Sequence, residues 1–214
     1  MVLEILSYTG IVLLLINIIV YTARINRSCN AYKCFTIYLI SIFIIQTSTV
    51  VFALKGLNNH FISGYYLFFQ FILLSFFFYL LLLPLDKKKA AIVKYTSVAT
   101  LTGLVLQYVL IPELYYIVNT SGLLVTSVLL IGYSLFYLFE LLSKKSIFNY
   151  ITIGIFIYLI SSTLIFFSTV SIIMEQLTDK MFNLLWIINI ALFNTYQLLI
   201  LWEWKQHFFY RTMK

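Results

Sequence analysis

The sequence predicts an all-α fold: a polytopic membrane bundle of seven transmembrane helices, forming one domain over residues 1–214. Three observations carry that prediction. The chain is 63% hydrophobic and only 10% charged, with a mean hydropathy of +1.01, whereas a soluble domain carries about 25% charged residues. The apolar residues gather into seven runs, each near the length of about 20 residues that crosses hydrocarbon as a helix. The Lys and Arg residues fall almost wholly in alternate connections between those runs, the pattern that orients helices in a bilayer.

Taken in order, the runs cover residues 5–21, 35–54, 62–83, 91–111, 120–142, 150–174 and 182–204. Glu4 precedes the first run, and Arg24 and Arg27 follow it. A cleavable signal has the opposite order of charge, so the first run is expected to stay as a helix with its N-terminus outside. Arg24, Arg27 and Lys33 sit after the first run, and Lys87, Lys88, Lys89 and Lys94 after the third. Lys144 and Lys145 follow the fifth; Lys205, Arg211 and Lys214 follow the seventh. Of the 14 Lys and Arg residues, Lys55 and Lys180 are the two that fall on the other side. An odd number of spans is the count that keeps this alternation, and it places the C-terminus in the cytoplasm.

Pro84 and Pro112 stand at run ends, where they interrupt no helix. Gly10, Gly103, Gly132 and Gly154 lie within runs and are expected at close helix contacts. The string IYLIS occurs at Ile37–Ser41 in the second run and at Ile157–Ser161 in the sixth. Both follow a basic connection, as a plan of three helices, a linker and three more would have it.

The net charge of +7 is read as this topology signal, and no nucleic-acid partner is expected. Cys29 and Cys34 have neither redox-motif nor zinc spacing, and His60 stands alone in a connection. No metal or cofactor is expected. Every Asp, Glu, Lys and Arg lies near a run end or in a connection. Ion-coupled pumps and intramembrane hydrolases hold reactive or ionisable groups deep in the bilayer, so no enzyme is expected. Glu140 with Lys144, and Glu203 with His207, have the i,i+4 spacing of local ion pairs.

The polarity left in the spans is neutral. In the seventh, Asn183, Trp186, Ile190, Asn194, Gln197 and Leu201 fall on one side of a helix at 100° per residue. An unpaired amide in hydrocarbon costs several kcal/mol by order of magnitude, so this side must face other helices. Asn17, Gln46, Thr47, Ser48, Thr49, Gln70, Gln107, Ser161, Ser162 and Thr163 supply similar groups elsewhere. The ligand site expected from this pattern is a pocket where Asn189, Asn194 and Gln197 meet Gln46, Gln70 or Gln107. Apolar walls with a few neutral anchors suit a lipid or another hydrophobic or small neutral ligand. At the basic face, Lys87, Lys88, Lys89, Lys205 and Arg211, with Phe208, Phe209 and Tyr210, form the expected strip for headgroups or a docking partner.

Three segments carry a family resemblance: FQFILLSFFFYLLLLPLDKKK at Phe69–Lys89, YSLFYLFELL at Tyr133–Leu142, and LLWIINIALFNTYQLLILWEWK at Leu184–Lys205. From the third run onward the chain resembles a group of small seven-helix membrane proteins of Bacteroidota, often encoded beside two-component sensor kinases. The resemblance implies a multi-pass protein of the bacterial inner membrane, with a histidine kinase or another membrane signalling protein as partner besides the lipid bilayer. It assigns no catalytic residue.

The leading expectation is a signalling or sensory component that binds its ligand within the bundle and couples to a separate protein. Two alternatives stand beside it: a small transporter or channel with three-plus-one-plus-three helices, similar in plan to the SWEET sugar-permeating proteins though without their proline motif, and an accessory membrane protein of a bacterial defence system. Self-association is open in each.

Overall fold

A computed structural model of the chain describes residues 2–143, 147–170 and 179–209. Among these, the regular structure is helical throughout. The helices are α1 (Val2–Thr22), α2 (Asn30–Leu54), α3 (His60–Leu82), α4 (Lys87–Leu110), α5 (Thr120–Ser143), α6 (Asn149–Val170) and α7 (Asp179–Glu203). Six contain stretches long and apolar enough to cross a membrane, and α1 adds a shorter apolar stretch over Leu6–Thr22. Large apolar side chains also lie exposed along every helix, Ile19, Ile44, Tyr95, Val109, Leu142 and Leu164 among them. Such a surface would not persist in water; the fold is that of a multi-pass membrane protein.

Several helices start earlier than the apolar runs. The second begins at Asn30 and the fourth at Lys87, because polar residues continue a helix beyond the hydrocarbon. Asp86 starts α4 by accepting hydrogen bonds from the backbone N–H of Lys88 (2.8 Å) and Lys89 (3.2 Å), a side-chain N-cap. The α2 helix ends at Gly56, whose φ of 65° is the left-handed turn that closes helices. Pro112 opens a short 3-10 turn, Pro112–Tyr115, after α4.

The helices run alternately up and down. At the end bearing Lys87, the start of α4 meets the end of α5 through Lys89 Nζ, 2.6 Å from Glu140 Oε1. At the opposite end, Asn119 before α5 donates to Gln107 Oε1 of α4 at 3.1 Å. In cross-section α1, α2, α3, α5, α6 and α7 form a closed ring, each packed on the next, with α7 returning to α1. The α4 helix stands outside this ring, packed mainly on α3. Hydropathy alone does not single it out in this way.

The core fills the ring. At the basic end it is aromatic: Tyr21, Tyr32, Phe35, Phe77 and Phe148 are completely buried. Tyr21 stacks on Tyr32 at 4.9 Å, and Phe208 meets Tyr32 edge-on at 4.8 Å. Phe208 therefore belongs to the core rather than to a free aromatic strip. It reaches the core because the chain passes into π-helical geometry over Trp204–Phe209.

Two glycines work as close contacts. A Cβ on Gly10 would lie 2.7 Å from Asn194 Oδ1, and one on Gly154 would lie 2.7 Å from Tyr196 Cδ2. Both contacts bring a helix against α7. Gly103 and Gly132 depart from expectation: nothing lies within 4 Å of a Cβ at either, so neither mediates close packing within the bundle.

Candidate functional site

Within the half of the ring away from the basic end, α1, α2, α3, α5, α6 and α7 line a two-lobed cavity. The larger lobe, about 540 Å³, runs along α1, α2, α3 and α7 to Asn59 and His60. The smaller, about 250 Å³, lies between α3, α5 and α6, where Leu123, Phe166 and Phe167 line it. Gln46, Tyr66, Tyr158 and Asn189 line both lobes. These four mark the waist.

The cavity is lined by amide side chains. Gln46 is half-buried and Gln70 is only 6% exposed. The Asn189 Oδ1 is buried and unpartnered. A buried amide oxygen left unpaired costs about 1–3 kcal/mol. With Gln46 and Gln70 beside it in the smaller lobe, Asn189 forms a wall of neutral donors and acceptors. Ser162 and Thr163 add hydroxyls in the smaller lobe, and Thr49 and Ser63 in the larger. Among the described residues, no carboxylate, lysine or arginine lines either lobe.

At the waist Tyr158 stacks on Tyr196 with ring centroids 5.6 Å apart and planes within 9°. The Tyr196 hydroxyl faces Tyr38 but reaches no partner at hydrogen-bonding geometry. Tyr158 lines both lobes, and Tyr196 backs it from the core.

Three of the amides expected in the pocket meet there: Gln46, Gln70 and Asn189. The other three lie elsewhere, each held by a different partner. Asn194 Nδ2 donates to Leu6 O (3.0 Å) and Thr9 Oγ1 (3.2 Å) of α1. Gln197, 1% exposed, accepts at Oε1 from Asn17 Nδ2, which also donates to the Gln197 carbonyl, both at 2.9 Å. Gln107 sits in a side-chain circuit with Ser121 and Asn119 between α4 and α5. The α7 seam thus has two jobs. Asn194 and Gln197 close the ring against α1, and Asn189, one to two turns earlier, faces the cavity.

Tyr66 and Tyr158 were not among the expected ligand-contacting residues. In a chain with 17 tyrosines nothing local sets these two apart, although Tyr158 falls in the second IYLIS string. His60, expected as a solvated side chain, is exposed but stands at the rim of the larger lobe.

The basic end also rearranges the expected docking strip. Lys87 and Lys88 are exposed. Lys89 is engaged with Glu140 and, at 4.0 Å, with Asp86. Glu140 therefore bridges to another helix, while Lys144, its expected local partner, lies outside the described residues, as do Lys145, Tyr210, Arg211 and Lys214. Lys205 is exposed, its ammonium 5.8 Å from the Trp202 ring.

Glu203 is the largest departure from expectation. His207 does lie 3.4 Å from it, but Glu203 is completely buried. Its two oxygens accept from the backbone N–H of Phe148 and of Tyr150, each at 2.7 Å. The carboxylate thus caps α6 from the far end of α7, at the positive end of the α6 dipole. No periodicity links positions this far apart in sequence.

Comparison with protein-family models, with curated proteins and with solved structures found no match.

Proposed function

We propose that this chain is a bacterial inner-membrane sensory component that binds a small neutral or weakly polar ligand in the two-lobed cavity. The N-terminus would face outward, as the distribution of Lys and Arg favours, and the cavity would then open toward the outside. The observation that carries the reading is the buried, unpartnered Asn189 Oδ1 at a waist shared with Gln46, with Gln70 in the smaller lobe. Neutral amides between apolar walls select hydrogen-bonding groups without formal charge.

Coupling to a partner follows from α7. This one helix carries Asn189 at the cavity, Gln197 against α1 and Glu203 on the start of α6. A ligand that binds better to one setting of α7 shifts its population by that differential affinity. The displacement is delivered at the basic end, where Lys87, Lys88 and Lys205 are exposed to a histidine kinase or another signalling protein.

The test is a mild-detergent pull-down of tagged protein from native membranes, read by mass spectrometry for proteins and small molecules. The reading expects a stoichiometric signalling partner and a retained neutral compound that Asn189→Leu loses. Robust solute flux in liposomes with no partner would reject it. That second outcome is the transporter reading, and one observation favours it. The α2 and α6 helices share a burial pattern: Ala31, Phe35 and Leu39 are buried, as are Ile151, Ile155 and Leu159, while Ile37 and Ile157 are 49% and 45% exposed. With α4 outside the ring, this is the arrangement two three-helix repeats would give.

A further inference from the structure

A third cavity lies apart from the site above, on the outer flank of the bundle between α3 and α4. It measures about 440 Å³ and is bounded by Ile72, Ser75, Phe76 and Tyr79 on α3 and by Lys94 and Val98 on α4, among others. We propose that this groove holds the acyl chain of an anionic phospholipid whose headgroup is met by Lys94.

Shape and position come first. Ile72 to Tyr79 and Lys94 to Val98 place the groove along the halves of α3 and α4 nearer the basic end. At 1.5 Å per residue the α3 wall is about 10 Å long, so the groove follows the helix axes as a lipid chain would. Its margin is open to the bilayer: Ile72 is 44%, Phe76 51% and Val98 56% exposed. Because α4 stands outside the ring, this seam is not covered by another described helix.

Chemistry supplies the polarity. Lys94 is exposed and lies two turns into α4, deeper than Lys87 and Lys88. A lysine at that depth extends its stem along apolar surface toward the headgroups, and an ammonium there is favoured by a neighbouring anion. Among the described residues, no Asp or Glu lines the groove. The floor holds a second cue. Ser75 is 4% exposed, and its hydroxyl has no hydrogen-bond partner. Helical serines usually bond back to their own helix; this one is left for a polar atom arriving through the groove, such as an ester oxygen.

Native mass spectrometry of the full chain, titrated with phosphatidylglycerol or phosphatidylcholine of matched chains, tests the proposal. Two variants are compared with the wild type: Lys94→Gln, which removes the charge, and Val98→Trp, which fills the mouth of the groove and leaves every lysine in place. Both positions are exposed, so an unchanged gel-filtration profile is expected. The wild type should retain one phosphatidylglycerol about fivefold more tightly than phosphatidylcholine, the contribution of one lysine beside an anionic lipid. Lys94→Gln should abolish that preference, and Val98→Trp should reduce retention of both lipids. Equal retention of the two lipids by the wild type overturns the proposal. So does a preference that survives Lys94→Gln, or retention unaffected by Val98→Trp, which would indicate only diffuse attraction to the basic end.

Discussion

Removing the Glu203 carboxylate should damage the bundle more than any other single change at its basic end. In Glu203→Ala the N–H groups of Phe148 and Tyr150, each 2.7 Å from a carboxylate oxygen, lose their acceptor in a completely buried site. Each orphaned donor costs about 1–3 kcal/mol. Strain at Phe148, whose φ of 73° costs a non-glycine residue about 1–3 kcal/mol, can relax once its bond to the carboxylate is gone and so subtracts from the loss. Its buried ring and the bond to Glu203 hold it there. Relief from burying the carboxylate offsets part of this sum, leaving an expected loss of about 3–5 kcal/mol. Glu203→Gln keeps one acceptor oxygen and should lose roughly half as much. His207→Ala removes a longer, half-exposed contact at 3.4 Å and should cost at most about 1 kcal/mol. Reversible unfolding in mixed detergent, followed by circular dichroism, measures all three. If Glu203→Ala unfolds within about 0.5 kcal/mol of wild type, or if His207→Ala is as harmful, the carboxylate is not the cap of α6 and the reasoning fails.

Two further predictions test how α7 is seated. Gly154→Val would drive a methyl-bearing carbon against Tyr196 and Leu199 and should cost about 1–3 kcal/mol, while Gly132→Ala, with nothing within 4 Å, should raise stability by about 0.5–1 kcal/mol, the helix-propensity gain. Asn17→Leu and Gln197→Leu should each destabilise the ring closure, and the double variant less than their sum. The coupling is expected at about 0.6–1.7 kcal/mol, and strict additivity in this double-mutant cycle would show that the 2.9 Å contact contributes nothing of its own.

The helices were legible because hydrocarbon imposes a simple rule on sequence: an apolar run of sufficient length must satisfy its own backbone as a helix. Their ends were partly legible, since Asp86, Pro112 and the glycine at 56 act within a few residues of themselves. Ring order was not. Hydropathy says that a helix faces lipid or protein but not which helix it faces, so nothing in residues 87–110 announced that α4 stands outside. For the candidate site, counting amides found Gln46, Gln70 and Asn189 but could not separate them from Gln107, Asn194 and Gln197, whose partners are fixed only by the fold. Glu203 was read only in part for the same reason. Its local neighbour His207 was visible, whereas the two backbone donors it serves lie on the preceding helix.

The contact between α1 and α7 has a consequence for biosynthesis. Asn17 and Gln197 are separated by 180 positions, and Asn17 sits completely buried in the finished bundle. During synthesis at about 5–20 residues per second, the amide waits about 10–35 s for its partner to emerge. Until then the first helix carries an unanswered polar group, and no intermediate of six helices can complete the circle. The segment that emerges 180 positions later is the one that locks the first, so a chain stopped short of Gln197 displays its incompleteness to the membrane as an exposed amide.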